Sequence, residues 1–364
     1  MIKPPYKVPS MAEIEQVEPN GLHVVSTFSG AGGSCLGYRM AGFKVVWANE
    51  FIKEAQQVYR LNHPSTFLNT SDIRKIEAEQ VLAESGMKIG EIDIFDGSPP
   101  CSAFSMAGKR DEGWGKKKAY SSGGQEQVVD DLFFEYARLL KGLQPRYFIA
   151  ENVPGLLIGK ARGYFNLILR ALRDCGYGVR ASVFDASRLG VPQARKRLIF
   201  IGARNDIKQA IRFPSATRYV YTVRDAIGDL PPALAGSFWP LPKGSMTNLY
   251  DRAGHPRFRG MFNLANREMI GKDGYFVHRR LLWDSPSPTV VAQSMNTYHP
   301  EEPRSLSIQE LKRVCSFPDD FKLTGSIARQ WERLGRAVPP VMMKAIATAV
   351  RESMCDGEKG GVPL

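Results

Sequence analysis

The residues best suited to chemistry are Pro99-Pro100-Cys101-Ser102, reached through Asp93-Ile94-Phe95-Asp96-Gly97-Ser98 and answered fifty residues later by Glu151-Asn152-Val153. A cysteine acts as a nucleophile only as its thiolate, so it needs partial exposure and an electropositive neighbourhood. The apolar run 92–95 reads as a buried strand. Cys101 lies just past its end, in proline-rich backbone that cannot continue a sheet. Ligands of open α/β sheets bind at that edge, so Cys101 is the candidate nucleophile.

The elements that must position it follow from the flanking pattern. The short apolar run 24–28 leads into Ser29-Gly30-Ala31-Gly32-Gly33, then a helical pattern carrying Leu36 and Met40, then a second strand at 44–48 ending in Asn49-Glu50. Strand, glycine turn, helix, strand and acidic residue make a βαβ unit that suits a nucleoside. Glycines admit a ligand close to the backbone, the helix start favours electronegative groups, and a carboxylate after the second strand can accept from ribose hydroxyls. Further strands are predicted near 92–95, 146–150 and 198–202, and helices near 128–143 and 163–174. The expected fold is α/β with a doubly wound, mostly parallel sheet. After about residue 205, prolines at 231, 232, 240 and 242 break the pattern, and no long amphipathic helix is predicted before 288. Regular structure returns at 307–314 and 328–334, with a last helix from 339 to about 351.

Bulk properties bound the function. A chain of 364 residues exceeds one typical core, so about two domains are expected. The 49 Lys and Arg exceed the 37 Asp and Glu, giving a formal charge of +12, which favours a polyanionic partner. The excess peaks at Lys116-Lys117-Lys118, at Arg195-Lys196-Arg197 and across 252–259. Five cysteines, odd in number and without a CxxC pair, argue against a disulfide framework or a zinc site. No metal is expected. No run approaches the ~18 apolar residues of a membrane span, and residues 1–20 lack the order of a signal peptide. The reading is therefore a cytoplasmic protein with no membrane partner.

In order and almost end to end, the chain resembles the DNA cytosine-5 methyltransferases. The segments that carry the likeness are Phe28-Ser29-Gly30-Ala31-Gly32-Gly33, Asn49-Glu50-Phe51, Asp72-Ile73, 97–105 around Pro99-Pro100-Cys101, Glu151-Asn152-Val153-Pro154-Gly155 and Gln193-Ala194-Arg195-Lys196-Arg197. Later come Thr222-Val223-Arg224-Asp225, Pro286-Ser287-Pro288-Thr289, 304–318 and Gly335-Arg336-Ala337-Val338-Pro339-Pro340. Only residues 1–20 and about 233–283 lie outside it. The resemblance implies a Rossmann-like methyltransferase fold with a smaller, irregular target-recognition domain. Its divisions would be an extension at 1–20, a catalytic domain at 21–205, recognition domain and hinge at 206–324, a return to the catalytic domain at 325–355, and a tail at 356–364.

The same resemblance assigns roles. Cys101 would add to C6 of a flipped-out cytosine in duplex DNA, Glu151 would meet N3 and the exocyclic amine, Arg197 would bind O2, and Arg195 would help hold Cys101 as thiolate. S-adenosylmethionine is the implied donor. Phe28, Ala31 and Gly33 would line its turn, Glu50 its ribose, Phe51 and Ile52 its adenine face, and Asp72 the adenine amino group, with Ile73 and Pro100 alongside. The glycine- and lysine-rich stretch 102–125 would close over the DNA, and residues 233–300, with Arg257 and Arg259, would read bases.

Departures from the family pattern mark what is particular here. Ser26 stands where the first motif often has Asp, and Gln309 and Cys315 replace residues usually basic and amide. Arg336 stands where the tenth motif typically has Asn, beside the cofactor. That cation raises a variant: carboxy-S-adenosylmethionine as donor and carboxymethylation of cytosine, with Glu332, four residues earlier, as the plainer partner of Arg336. An RNA cytosine methyltransferase and a silent DNA-binding homologue are the other readings. The expected form is a monomer, with any partner nuclease unspecified.

Overall fold

The computed structural model describes residues 3–100, 131–159, 161–241, 243–272, 274–275, 277–292 and 295–355, with short strands at 118–119 and 126–127. In chain order the elements begin with α1 (Met11–Glu15), β1 (His23–Thr27), α2 (Gly33–Met40), β2 (Lys44–Asn49), α3 (Lys53–Asn62), β3 (Phe67–Asn69), α4 (Ala78–Ser85) and β4 (Ile94–Gly97). There follow β5 (Lys118–Ala119), β6 (Glu126–Gln127), α5 (Leu132–Leu143), β7 (Tyr147–Asn152), α6 (Ala161–Asp174), β8 (Tyr177–Asp185), β9 (Gln193–Ala194) and β10 (Lys196–Arg204). The rest are α7 (Val223–Ile227), α8 (Ser245–Ala253), α9 (Phe262–Ile270), β11 (Arg279–Arg280), β12 (Ser287–Pro288), β13 (Thr297–Tyr298), α10 (Ile308–Val314), α11 (Ile327–Arg336) and α12 (Pro340–Cys355).

The chain forms two compact units. The larger comprises Glu13–Phe184, Lys196–Ser215 and Met342–Leu364, and the smaller Met1–Ala12, Asp185–Arg195 and Ala216–Val341. In the larger unit seven strands run in the order β3-β2-β1-β4-β7-β10-β8. The neighbours from β3 to β7 pair parallel, and β10 runs antiparallel to β7. The sheet is thus mostly parallel, as the sequence predicted. Its central strands are apolar because both faces are covered: all four residues of β4 are buried, as are 24–27 of β1. Helix α5 lays Phe133, Tyr136, Ala137 and Leu140 on the sheet at helical spacing, and the Tyr136 hydroxyl donates to the carbonyls of Phe95 and Ile149.

The predicted strands fall on β1, β2, β4, β7 and β10. Two edge strands went unread. β3 has only three residues, and most of β8 is half-buried or exposed, so neither gives a continuous apolar run.

In the smaller unit the stretch up to Pro288 holds short helices only. α8 and α9 have nine residues each, and with Tyr298 they build a core of Leu249, Tyr250, Ala253, Phe258, Phe262 and Ala265. α7 and α10 begin with reciprocal capping boxes, Thr222 with Asp225 and Ser307 with Glu310. Residues 3–11 are packed chain: Lys3 pairs with Asp225 at 2.7 Å, the Tyr6 hydroxyl donates to the Arg313 carbonyl, and the Met11 amide donates to Asp320. Helix α11 groups by its contacts with this unit, and α12 with the larger one.

Candidate active site

The strand order reverses between β1 and β4, where a crevice opens in sheets of this kind. β1 leads into a turn with three left-handed residues: Phe28 at φ 53°, Gly30 at φ 58° and Gly32 at φ 89°. At Gly32 a Cβ would come within 2.2 Å of His63 Nε2, so glycine is required for space as well as for φ. At Gly30 the same direction is open, with no atom within 4 Å, and a side chain there would fill the space over the turn.

Glu50, buried at the end of β2, accepts from the amide of Gly30 at 2.7 Å and that of Ile52 at 2.6 Å. Its carboxylate is thereby aimed along the turn. Asn49 donates to the carbonyls of Asn69 and Ser71 and fixes the chain after β3. There Asp72 caps the short turn Ile73–Lys75, accepts from the Arg74 amide at 3.1 Å, and leaves Ile73 buried. The structure thus gathers Phe28, Ala31, Gly33, Glu50, Phe51, Ile52, Asp72 and Ile73 at the ends of β1, β2 and β3. Two carboxylates, an open glycine turn and flanking apolar side chains fit the hydroxyls, amine and ring of an adenosine.

On the other side of the reversal, β4 runs into Ser98, Pro99 and Pro100. Asn152, at the end of β7, donates from its side chain to the Pro99 carbonyl at 3.3 Å and accepts from the Val153 amide at 2.8 Å. One residue earlier, Glu151 pairs with Arg197 Nε at 2.5 Å, both side chains being mostly buried, at 13 and 14% exposed. The register explains the pair. Ile199 lies opposite Glu151 on antiparallel β10, so Arg197 is the diagonal neighbour on the same face, within reach of long side chains. Cys101, the stretch 102–125 and Lys116-Lys117-Lys118 lie outside the described residues, apart from the backbone of β5.

Arg195 has a different setting from Arg197. It is buried in the smaller unit and donates to the carbonyls of Gly335 at 3.0 Å, Arg336 at 3.4 Å and Val290 at 3.5 Å. It ties the start of the basic segment to the end of α11, which approaches residue 292 so closely that a Cβ on Gly335 would lie 2.8 Å from Ala292 Cα. Arg336 places Nε 3.0 Å and Nη2 2.9 Å from Glu332, a buried carboxylate that Arg329 and Arg333 also approach at 3.3 Å. Near α9, Arg252 and Arg257 share Glu268, while Arg259 is exposed.

Three residues gained importance only in the structure. Asn152 was legible as part of a motif but without a role. Asp96 was legible as a polar residue in an apolar strand. His63 carried no signal at all; burial pushes it down to about 3, so it is neutral under the glycine turn. Of the described cysteines, Cys35 and Cys315 are pushed up by burial to about 11 and Cys175 is raised too, so none of these buried thiols is a nucleophile at neutral pH. Among the described residues no cluster of metal-ligating side chains occurs, and no helix is long and apolar enough to cross a membrane.

The sequence profile of the C-5 cytosine-specific DNA methylases matches residues 22–352. The chain is 34% identical to the Type II methyltransferase M.PspPI of Psychrobacter sp. (strain TA137), over 94% of this chain and 82% of that one. It is 30% identical to the Type II methyltransferase M.NgoPII of Neisseria gonorrhoeae, over 92% and 97% respectively. Among solved structures, a prophage-encoded DNA modification methyltransferase of E. coli superposes with a TM-score of 0.70 at 24% identity, over 92% of this chain and all of that one, which speaks to the fold. With that profile matched over residues 22–352 and relatives at 30% identity or more along nearly the whole chain, the chain belongs to the C-5 cytosine-specific DNA methylases.

Proposed function

We propose that this enzyme transfers a methyl group from S-adenosylmethionine to C5 of a cytosine swung out of duplex DNA. The observation that carries the reading is the Glu151–Arg197 pair, one residue from the Asn152 bond that holds the Pro99-Pro100 backbone leading to Cys101. Glu151 and Arg197 offer a carboxyl and a guanidinium side by side: the carboxyl would accept from the cytosine amine and meet N3 through a shared proton, and the guanidinium would donate to O2. A thiolate at Cys101 would add to C6, moving electron density to C5, and would leave again once C5 has taken the methyl group and lost its proton. Extrusion of the base costs a few kcal/mol, which contacts to the opened duplex must offset.

The cofactor supplies the electrophilic methyl carbon. Glu50 would accept from its ribose, Asp72 from its adenine amine, and Phe51 and Ile52 would pack against its ring, while the open side of Gly30 admits it close to the backbone. Methyl rather than carboxymethyl transfer is supported by Arg336, whose guanidinium is already matched by Glu332 at 2.9 Å within one helix. The names of the relatives support a place in a restriction-modification system.

The experiment is covalent capture. Duplex DNA carrying 5-fluorocytosine at the target cannot lose a proton from C5, so it should trap the enzyme as a denaturation-resistant adduct, and Cys101→Ser should abolish both trapping and methylation. Bisulfite sequencing of DNA from an expressing host would supply the target. A methylated site that never traps the enzyme would overturn the covalent route.

A further inference from the structure

Asp96 is the one carboxylate in the middle of β4, 2% exposed, and five residues before Cys101. β1 lies beside it with Ser26 directly opposite, and Ser26 donates to Oδ2 at 2.9 Å. From α2 the Tyr38 hydroxyl donates to Oδ1 at 3.0 Å. Ser26 in turn meets Ser29, the first residue of the glycine turn: Ser29 Oγ lies 3.1 Å from Ser26 Oγ and 3.3 Å from the Ser26 carbonyl. A hydrogen-bonded chain therefore runs from Asp96 through Ser26 to Ser29, next to the Gly30 amide that Glu50 holds. In the other direction β4 continues to the Pro99 carbonyl held by Asn152. Asp96 sits where the cofactor turn and the nucleophile's loop share one anchor.

We propose that Asp96 is a positioning residue for methyl transfer, its carboxyl setting the cofactor turn through Ser26 and Ser29. This rests on the functional reading above. The chain of hydroxyls has two senses. With Asp96 ionised, Ser26 donates to it and Ser29 donates to Ser26. With Asp96 neutral, its own proton goes to Ser26, Ser26 donates to Ser29, and Ser29 turns to the Ser26 carbonyl. The geometry accommodates both, so the protonation of Asp96 reaches the turn. The titratable groups facing it are Tyr38 and Cys35 from α2, Tyr136 from α5 and Glu151 from β7. Burial, with Glu151 adding to it, pushes Asp96 up to about 7.

The test measures binding of S-adenosylmethionine by calorimetry from pH 5.5 to 8.5, with kcat and KM for the cofactor at each pH. For the native enzyme, affinity should change with a midpoint near 7. In Asp96→Asn the amide keeps its oxygen toward one hydroxyl and donates to the other as the neutral acid does, so affinity should stay at the native low-pH value at every pH and its pH dependence vanish. The exchange Ser26→Asp with Asp96→Ser moves the carboxyl across the paired register and should restore the pH dependence. Tyr38→Phe, which removes one donor and keeps the carboxyl, serves if Asp96→Asn does not fold: it should shift the midpoint upward. Native-like affinity and pH profile in a folded Asp96→Asn, or an unmoved midpoint in Tyr38→Phe, would overturn the inference alone. Failure of the native enzyme to bind the cofactor at any pH would overturn the functional reading and this inference with it.

Discussion

At the scale of the residue, Glu151 and Arg197 neutralise each other at 2.5 Å in a mostly buried setting, so removing either leaves a charge without its partner. Arg197→Ala should lower kcat on the order of 100-fold while leaving cofactor affinity within about twofold, because in the proposed function the guanidinium would serve the base and not the donor. Steady-state kinetics with separate titrations of DNA and cofactor would check this, and an unchanged kcat would exclude Arg197 from the site. Arg336 invites the opposite expectation. It is 41% exposed and one of three arginines round Glu332, so Arg336→Asn should cost under about 1 kcal/mol of stability and leave the transferred group as methyl. Mass spectrometry of digested DNA, after reaction with an equimolar mixture of S-adenosylmethionine and carboxy-S-adenosylmethionine, would reveal any carboxymethyl product.

At the scale of the element, the turn between β1 and α2 depends on what lies beneath it. Gly32→Ala would place a methyl group on His63 in a left-handed backbone, so we expect about 3 kcal/mol of destabilisation and lost cofactor binding, measured by urea unfolding and calorimetry. His63 and Asp96 also make stability depend on pH in opposite directions. Asp96, near 7 when folded against an ordinary 3.8, holds a proton in the folded state that the unfolded chain releases, so its share of stability falls as pH rises from about 4 to about 7. His63, about 3 when folded against an ordinary 6.5, must shed a proton to fold, so its share rises over about pH 3 to 6.5. The two nearly cancel between pH 4 and 6.5. Asp96→Asn should expose the rise and His63→Gln the fall, and urea midpoints at half-unit steps of pH would show whether the slopes separate.

At the scale of the whole molecule, an excess of 12 positive charges implies that DNA affinity should fall steeply with salt. With about four phosphates neutralised, a fourfold rise in salt costs on the order of 100-fold in affinity. A slope near zero in a filter-binding series would rule out backbone recognition. The sequence by itself determined the β1–α2–β2 unit, the central strands and the carboxylates at their ends. Long apolar runs and glycine turns are local signals, and the motif order nominated candidate site residues from 28 to 197. It could not determine β3 and β8, whose residues make no continuous apolar run, nor α8 and α9, which lie in the stretch that prolines and glycines after residue 230 interrupt. Partners distant along the chain were decided by tertiary structure alone. Asp96 finds Ser26 only because β4 pairs with β1 in that register, Glu151 finds Arg197 only because β10 runs antiparallel to β7, and His63 meets Gly32 only once α3 packs beneath the turn. Each of these pairings joins segments 30 to 70 residues apart, and no local propensity carries information over that distance.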